Sequence, residues 1–399
     1  MKSKRSRPWW GPFTIVLVAG LVACGGGGST ALLCQRCASD GDCQGAPCFQ
    51  DVSGQRFCGG SCASCPSGYS CQPVASTSGD VIETCFPDSE SCADSVQPGG
   101  DLGGGAPPDG PIPPAPGDLG GGIPVGGAIG PTGGTVDRIF FGFTGDTRPA
   151  QCGGAYPQAT INSIYTQMKT RGVQFALDQG DHMFNCGSGT SAFVGAKQQI
   201  GDYVSAASLL GKTVFMTMGN HECTGEASTL CTLSSYGGNP NYTAFMDALA
   251  PVSAKPYYRV DVMTNSGLAV LLVVADDAWD AAQQTWLTAQ LTDADQHAKY
   301  TFVSKHHPKG NTDHPEFKQI YDLVTSHKYT LFFTGHSHLY KREFGDPRTL
   351  VIGCGGAPLA GGNFFGFGTA LQGADDRIYV QIYDQATGNV MDSFDVAPQ

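Results

Sequence analysis

The chain has 399 residues, with 35 Asp and Glu against 23 Lys and Arg, and a formal net charge of −12. This length permits one large domain with a sizeable core and a smaller unit beside it. The acidic balance excludes a nucleic-acid-binding surface, because Lys and Arg cluster only within the first seven residues. Sixteen cysteines, ten of them between Cys34 and Cys92, indicate an oxidising compartment.

The first 23 residues have the pattern of a bacterial lipoprotein signal peptide. A basic stretch within residues 1–7 precedes the apolar segment 13–22, which is too short to span a bilayer. The sequence Leu21-Val22-Ala23-Cys24 then resembles a lipobox, in which the Cys is diacylated. An ordinary secreted protein with a chance Cys at the cleavage site is the alternative. We predict an exported chain anchored to the cell envelope through a lipid on Cys24.

The residues from Cys24 onward predict a tether and indicate which membrane holds the lipid. Residues 24–33 are rich in Gly, and the residue after Cys24 is Gly25 rather than Asp. In a cell with two membranes, this residue predicts the outer one.

Residues 34–92 are predicted to form a small module held by disulfides. The pairs Cys34/Cys37 and Cys62/Cys65 have a spacing that also occurs in zinc sites, but in an exported chain such cysteines more often pair. Apolar residues are few, so bridges must replace a core. Ten cysteines permit five bridges, whose connectivity the sequence does not give. The module is a spacer or binds an unknown partner.

Residues 93–135 are almost entirely Gly, Pro, Ala and Asp without apolar periodicity. Such a segment buries too little surface to order itself, so it is predicted to be a linker. The domain that follows is predicted to span 136–399.

In this domain, predicted strands and helices alternate. Polar motifs follow the strands directly, in the chain order Gly145-Asp146, Gly180-Asp181, Gly219-Asn220-His221-Glu222, His306-His307 and Gly335-His336-Ser337-His338. Because an open α/β sheet carries its chemistry at the carboxyl ends of its strands, we expect these residues to meet. Carboxylates, imidazoles and an Asn carbonyl suit Zn, Mn or Fe. Two such ions can bind a phosphate ester and lower the pKa of a bound water.

Taken in order, the motifs Gly-Asp-x-Arg, Gly-Asp, Gly-Asn-His-Glu, Val-x-x-His and Gly-His-x-His resemble those of the calcineurin-like metallophosphoesterase superfamily. The details are most similar to the purple acid phosphatases within it. The resemblance implies an α/β fold, a four-layer sandwich of two mixed β-sheets flanked by helices. It also implies a dinuclear centre of two divalent or trivalent ions whose bound hydroxide attacks a phosphate ester.

The resemblance implies a role for each matching residue. Asp146 and His338 would bind the first metal, and Asp181 would bridge both metals. The second metal would be held by Asn220, His306 and His336, with His307 as the rival to His306. His221 would face the substrate and protonate the leaving oxygen or stabilise the phosphoryl group.

The sequence departs from the family pattern at the first metal. Arg148 stands where most members have His, and Phe184 stands where purple acid phosphatases have Tyr. Three interpretations stay open. His182, His307 or Asn185 substitutes, the first metal is weak, or Arg148 replaces part of its charge by gripping the phosphate.

Three further expectations concern the loops and the last strands. We predict two disulfides that brace the site loops, leaving Cys354 over, and a Gly-rich mobile loop over 355–368. Strands near 349–353, 377–383 and 390–394 are predicted to complete the second sheet.

The sequence thus predicts a lipid-anchored metallophosphoesterase, with monoesters favoured over diesters. A phosphodiesterase on the same fold is one alternative. A catalytically silent surface protein that displays the Cys-rich module is the other.

Overall fold

The structure is a computed structural model that describes residues 48–50, 56–58, 65, 69–75, 81–87 and 126–399, apart from 187–188, 224–229, 312–313, 344 and 361–362. The chain divides into two compact units, Met1–Gly99 and Gly100–Gln399. The predicted signal peptide, the Cys24 anchor and the tether lie outside the described residues. Within the described part, no helix has the length and apolar character needed to cross a bilayer.

The first unit contains two short antiparallel hairpins. They pair β1 (Cys48–Gln50) with β2 (Arg56–Cys58), and β3 (Tyr69–Ala75) with β4 (Val81–Pro87). A disulfide joins Cys65 to Cys85, and Cys58 and Cys71 are also disulfide-bonded. Cys58 and Cys85 are buried. Cys71 is exposed and Cys65 is half-buried, so only some of the disulfide-bonded cysteines of this part of the chain are interior residues.

The second unit alternates strands and helices. Its first half runs through β5 (Gly127–Gly130), β6 (Gly133–Val136), β7 (Phe140–Thr144), α1 (Gln158–Arg171), β8 (Phe175–Asp178), α2 (Gly189–Ala207), β9 (Val214–Met216), α3 (Asn220–Cys223) and α4 (Pro240–Leu249). The second half runs through β10 (Tyr258–Thr264), β11 (Gly267–Val273), α5 (Ala281–His297), β12 (Ala298–Ser304), α6 (Pro315–Thr325), β13 (Leu331–Thr334), β14 (Tyr340–Glu343), β15 (Asp346–Ile352), β16 (Gly366–Gln372), β17 (Ile378–Asp384) and β18 (Val390–Val396).

Among the described residues, these strands form two mixed sheets. The six-stranded sheet has the order β18-β17-β16-β7-β8-β9, and the eight-stranded sheet has the order β14-β15-β13-β12-β11-β10-β6-β5. Strands β7, β8 and β9 are mutually parallel, as are β11, β12, β13 and β15. Each sheet therefore presents the carboxyl ends of a parallel group at one edge.

The two sheets pack face to face through aromatic side chains. The Phe141 ring on β7 lies 5.0 Å from that of Phe302 on β12 and 5.9 Å from that of Phe333 on β13. The neighbouring Gly142 faces the other way, toward Met168 of α1. On the outer face of the eight-stranded sheet, α5 and α6 bury Leu287, Leu291, Ile320 and Val324 against Val270, Leu272, Val303 and Phe332. The predicted four-layer sandwich is confirmed.

Helix α1 shows how the sequence determines an element. Its buried residues Ile161, Ile164, Tyr165 and Met168 recur at helical spacing. Pro157 precedes the helix, and Gly172 ends it with φ of 81°, a left-handed conformation that costs glycine little.

Two predictions about glycine-rich segments are wrong. The end of the predicted linker, 127–135, forms β5 and most of β6, where a side chain on Gly134 would lie 2.1 Å from the Ala128 carbonyl oxygen. Part of the predicted mobile loop forms the central strand β16, because Phe143 fills the space beside Gly368. In both places glycine permits close packing rather than mobility.

The last strands also differ from the prediction. Rather than completing one sheet, they divide between the two, since β15 joins the eight-stranded sheet and β17 and β18 join the six-stranded one. Strand pairing over long sequence separations decided this, and the local pattern carries no information about it.

Candidate metal centre

The strand ends of both sheets converge on one site. Asp146 and Asp181 follow β7 and β8, and Asn220 opens α3 after β9. From the other sheet, His306 follows β12, and His336 and His338 follow β13. All six predicted ligands lie within this site.

Four of these residues have left-handed backbones, with φ of 56° at Asp146, 57° at Asp181, 67° at His336 and 48° at His338. Such conformations cost non-glycine residues about 1–3 kcal/mol each and persist where the surrounding structure enforces them. They aim the side chains inward from tight turns, which is a feature of functional sites.

Two glycines of the motifs are required because carboxylate oxygens lie close to their Cα atoms. A Cβ on Gly219 would lie 2.4 Å from Asp181 Oδ1, and one on Gly335 would lie 2.5 Å from Asp146 Oδ2. The glycines therefore leave room for the carboxylates, and any larger residue would displace a predicted ligand.

One donor set consists of Asp181, Asn220, His306 and His336. His306 Nε2 lies 3.3 Å from Asp181 Oδ1 and 3.1 Å from Asn220 Oδ1. His336 Nδ1 lies 3.1 Å from the same Asn220 oxygen and 3.3 Å from His306 Nε2. We call these four residues the second set.

The second set fits a metal ion on the chemistry of its donors. His306 Nδ1 donates to the Gln179 carbonyl at 2.7 Å, so Nε2 of the neutral ring carries a lone pair. That lone pair faces two acceptor oxygens, an arrangement that a metal ion or a proton on Nε2 stabilises. Burial lowers the pKa of His306, but Asp181 outweighs it, and the pKa is raised well above its ordinary value.

The other donor set consists of Asp146, Asp181 and His338, which we call the first set. One ligand atom from each lies within 4.8 Å of the others. His338 Nε2 is 3.4 Å from Asp146 Oδ1, which is buried and has no hydrogen-bond partner among the described residues. Arg148 enters this set, with Nε 3.4 Å from Asp181 Oδ2 and Nη2 3.2 Å from His338 Nε2.

None of the three proposed substitute ligands lies in the first set. His182 contacts the Thr217 carbonyl and Asp178, and the Asn185 side chain binds Ala192 and Asn241. His307 lies beside His336, with Nδ1 3.2 Å from Asp276 and its ring stacked on Phe317 at 3.8 Å. The substitution hypothesis is therefore wrong for these three residues.

His221 and Phe184 form one wall of the site. Their rings meet edge to face with centroids 4.4 Å apart, and His221 Nε2 lies 3.8 Å from Asp181 Oδ2. Burial lowers the pKa of His221 to about 4, although Asp181 raises it. The ring is therefore neutral near pH 7 and available as a hydrogen-bond donor to a substrate oxygen.

The sequence prediction gave Glu222 no role. Its carboxylate accepts backbone N–H groups of Gly219 and Asp181 at 2.8 Å, His182 at 2.6 Å and Met183 at 3.2 Å. It thereby ties the Gly-Asp turn to the Gly-Asn-His-Glu turn. Its place in the motif was a visible signal, but not its contacts.

Sequence reasoning also missed a buried ion pair behind the histidines. Lys305 Nζ lies 3.2 Å from Asp276 Oδ2, and both side chains are fully buried. Asp276 also accepts the backbone N–H of His307 at 2.8 Å. The position of Asp276 and Asp277 just after β11 was the signal that could have found them. Because Lys305 already supplies a cation there, we assign no metal to this cluster.

The fold and the site define a class of protein. Two packed mixed sheets with carboxylate, amide and imidazole groups at their strand ends are typical of metal-dependent phosphoesterases. The family model for calcineurin-like phosphoesterase matches residues 141–340, which is half of the chain. The chain belongs to that family of phosphoric ester hydrolases, and the predicted family is confirmed.

Individual relatives are distant. Tartrate-resistant acid phosphatase type 5 of Sus scrofa is 24% identical over 211 residues, covering 46% of this chain and 58% of the relative. The chain thus spans less than two thirds of that relative's length. Purple acid phosphatase from yellow lupin (Lupinus luteus) seeds is 15% identical, with a TM-score of 0.46. The match covers 66% of this chain and 56% of the lupin chain. A dimetal phosphatase of Danio rerio is 15% identical, with 65% and 99% coverage and a TM-score of 0.45.

Proposed function

We propose that this chain is a metal-dependent phosphomonoesterase. The proposal depends on the second set, in which neighbouring ring nitrogens of His306 and His336 and side-chain oxygens of Asp181 and Asn220 lie 3.1–3.3 Å apart. Four donor atoms of the types that bind metal ions, gathered at these distances, favour a bound cation. Asp146, Asp181 and His338 are the predicted ligands on the other side.

A metal held there would polarise phosphoryl oxygens and make water a better nucleophile near neutral pH. The chain's own residues do the rest. His221, buried against Phe184, donates a hydrogen bond toward the phosphoryl or leaving oxygen. Arg148 offers guanidinium N–H groups, which pair well with phosphate oxygens.

The preference for monoesters is supported by similarity to a protein named an acid phosphatase. The test is a matched pair of substrates, an aryl phosphate monoester and the corresponding methyl aryl diester. We expect faster hydrolysis of the monoester and loss of the activity with a chelator. Faster hydrolysis of the diester would instead assign a phosphodiesterase.

The assignment of the site is tested by Asn220→Ala and His336→Ala. Because each removes a donor of the second set, we expect kcat/KM to fall by about 10³-fold or more, equivalent to roughly 4 kcal/mol. Unchanged hydrolysis by both variants would mean that another site is responsible. Hydrolysis of neither substrate by the wild-type chain would favour the silent surface protein.

We also propose that the enzyme is exported and anchored through Cys24 to the bacterial envelope. Export is supported by the Cys65–Cys85, Cys152–Cys186 and Cys223–Cys231 disulfides, which persist in oxidising compartments. The test is mass spectrometry of the mature N-terminus together with cell fractionation of Cys24→Ser. We expect a lipid on Cys24 and release of the variant from the membrane fraction, whereas an unmodified Cys24 would contradict the anchor.

A further inference from the structure

Arg148 takes up contacts that a first metal ion would need. Its Nε and Nη2 atoms approach Asp181 Oδ2 at 3.4 Å and His338 Nε2 at 3.2 Å. These are two of the three residues of the first set. The guanidinium therefore lies among the ligands rather than at the rim of the site.

The tautomer of His338 lets its Nε2 atom contact either Arg148 or a metal ion, but not both. His338 Nδ1 lies 2.8 Å from the Pro358 carbonyl oxygen and donates its proton there. The remaining lone pair on Nε2 can accept from Arg148 or bind a metal ion, but it cannot do both. The Arg148 contact therefore uses the nitrogen that the first metal would require.

The surroundings hold the guanidinium in this position. Nη1 donates to the Pro149 carbonyl at 3.0 Å, and the guanidinium carbon lies 4.7 Å from the centre of the Phe184 ring. The side chain is only 12% exposed. Arg keeps its charge at all relevant pH values, so it is a permanent cation beside Asp181. A metal ion at the first set would face direct repulsion from it.

Phe184, which stands where purple acid phosphatases have Tyr, also favours the guanidinium over a metal ion. Phe184 offers no oxygen ligand, but its ring face attracts a guanidinium. The two departures from the family pattern, Arg148 and Phe184, are thus in contact and complement each other. A site that had merely lost ligands would not need this pairing.

We propose that the Arg148 guanidinium is the resident cation of the first set and that the enzyme binds one metal ion, at the second set. The inference rests on the proposed function for the second set. It makes the centre a metal–guanidinium pair that shares the Asp181 carboxylate. Arg148 then contributes a fixed charge with directional donors where relatives would place a second ion.

The test counts metal ions on the full exported chain. Mn²⁺ is the probe, because it prefers oxygen ligands to the thiolates of cysteines. The chain is stripped with a chelator, reloaded with excess Mn²⁺, desalted and analysed for manganese. Arg148→Gln removes the guanidinium, and Arg148→His adds an imidazole at the same position. Electron paramagnetic resonance then distinguishes isolated Mn²⁺ from magnetically coupled Mn²⁺.

Arg259→Gln is the matched control, because Arg259, like Arg148, forms an ion pair with Asp, here Asp261 and Asp293 at 2.6 Å, but outside the site. We expect one isolated ion per chain in the wild type and in Arg259→Gln. We expect two coupled ions in Arg148→His and a second, weaker ion in Arg148→Gln. Two ions in the wild type, or one ion in both Arg148 variants, would overturn the proposal.

Failure of this inference differs from failure of the proposed function. A wild type with two ions and chelator-sensitive hydrolysis would overturn the role of Arg148 and leave the phosphoesterase intact. A chain that binds no Mn²⁺ and hydrolyses neither ester would overturn both.

Discussion

The two sheets of the large unit deliver different chemistry to one site and hold it by different means. The six-stranded sheet contributes the oxygen donors Asp146, Asp181 and Asn220, and the Glu222 carboxylate ties the turn of Asp181 to that of Asn220. The eight-stranded sheet contributes imidazoles, and the turn that carries His306 lies on the buried Lys305–Asp276 ion pair. One side is ordered by backbone hydrogen bonds to a carboxylate without a lysine partner, and the other by a salt bridge whose carboxylate also accepts backbone N–H groups.

The difference shows how a charged site is kept rigid before any ion binds. A carboxylate that accepts several backbone N–H groups holds a turn in place without a charged side chain as its partner. A buried ion pair fixes a turn only while both partners remain, since either charge alone is costly in the interior. The eight-stranded side should therefore be more sensitive to single substitutions.

The largest effect is expected from breaking the ion pair. Lys305→Met leaves the Asp276 charge buried without its lysine partner, so we expect the free energy of unfolding to fall by about 3–5 kcal/mol. Urea unfolding followed by tryptophan fluorescence measures it, because Trp279 and Trp286 lie in the large unit. The control is Lys299→Met, whose pair with Asp376 is partly exposed and worth about 1 kcal/mol or less. Equal losses in the two variants would remove the contrast between the sheets.

The next effect concerns pH and a carboxyl of the six-stranded sheet. Burial raises the pKa of Asp178 to about 7, although the hydroxyls of Tyr165 and Tyr203 lower it. Between about pH 4 and 7, the folded state keeps this proton while the unfolded state has released it. This group therefore reduces the free energy of unfolding as pH rises, by up to about 4 kcal/mol.

Asp178→Asn removes the titrating carboxyl. The free energy of unfolding of this variant should therefore lack the part of the decrease between about pH 4 and 7 that Asp178 causes in the wild type. Tyr203→Phe keeps the carboxyl but removes one stabilising hydroxyl, so its fall should extend to higher pH. Urea unfolding at closely spaced pH values measures both. Parallel curves for the wild type and Asp178→Asn would contradict the assignment.

A smaller effect is expected from Glu222→Gln. The new amide group faces two backbone N–H donors that lose their acceptor, which costs about 2 kcal/mol of stability. Hydrolysis of the monoester should also slow, because the turns that carry Asp181 and Asn220 are released. The exposed carboxyl variant Asp247→Asn is the control, with a change within about 0.5 kcal/mol. An unchanged Glu222→Gln would show that the turns hold without the carboxylate.

Much of the site could be read from the chain because it follows a local rule. Each predicted ligand comes directly after an apolar segment, and the strands of a parallel group end at one edge, so Asp146, Asp181, Asn220, His306, His336 and His338 were expected to meet. Two disulfides beside the site loops were also expected; the structure contains Cys152–Cys186 and Cys223–Cys231, and Cys354 is free among the described cysteines.

The sequence by itself determined the alternation of strands and helices and the donor chemistry at the strand ends, because periodicity and turn residues act over a few positions. Only the tertiary structure decided which glycine-rich segments become strands β5, β6 and β16, since a partner strand or the Phe143 ring supplies the contact. It alone placed Arg148 between Asp181 and His338, and Lys305 beside Asp276. These pairings join residues far apart in the chain, where side-chain packing and charge, rather than local pattern, determine the partner.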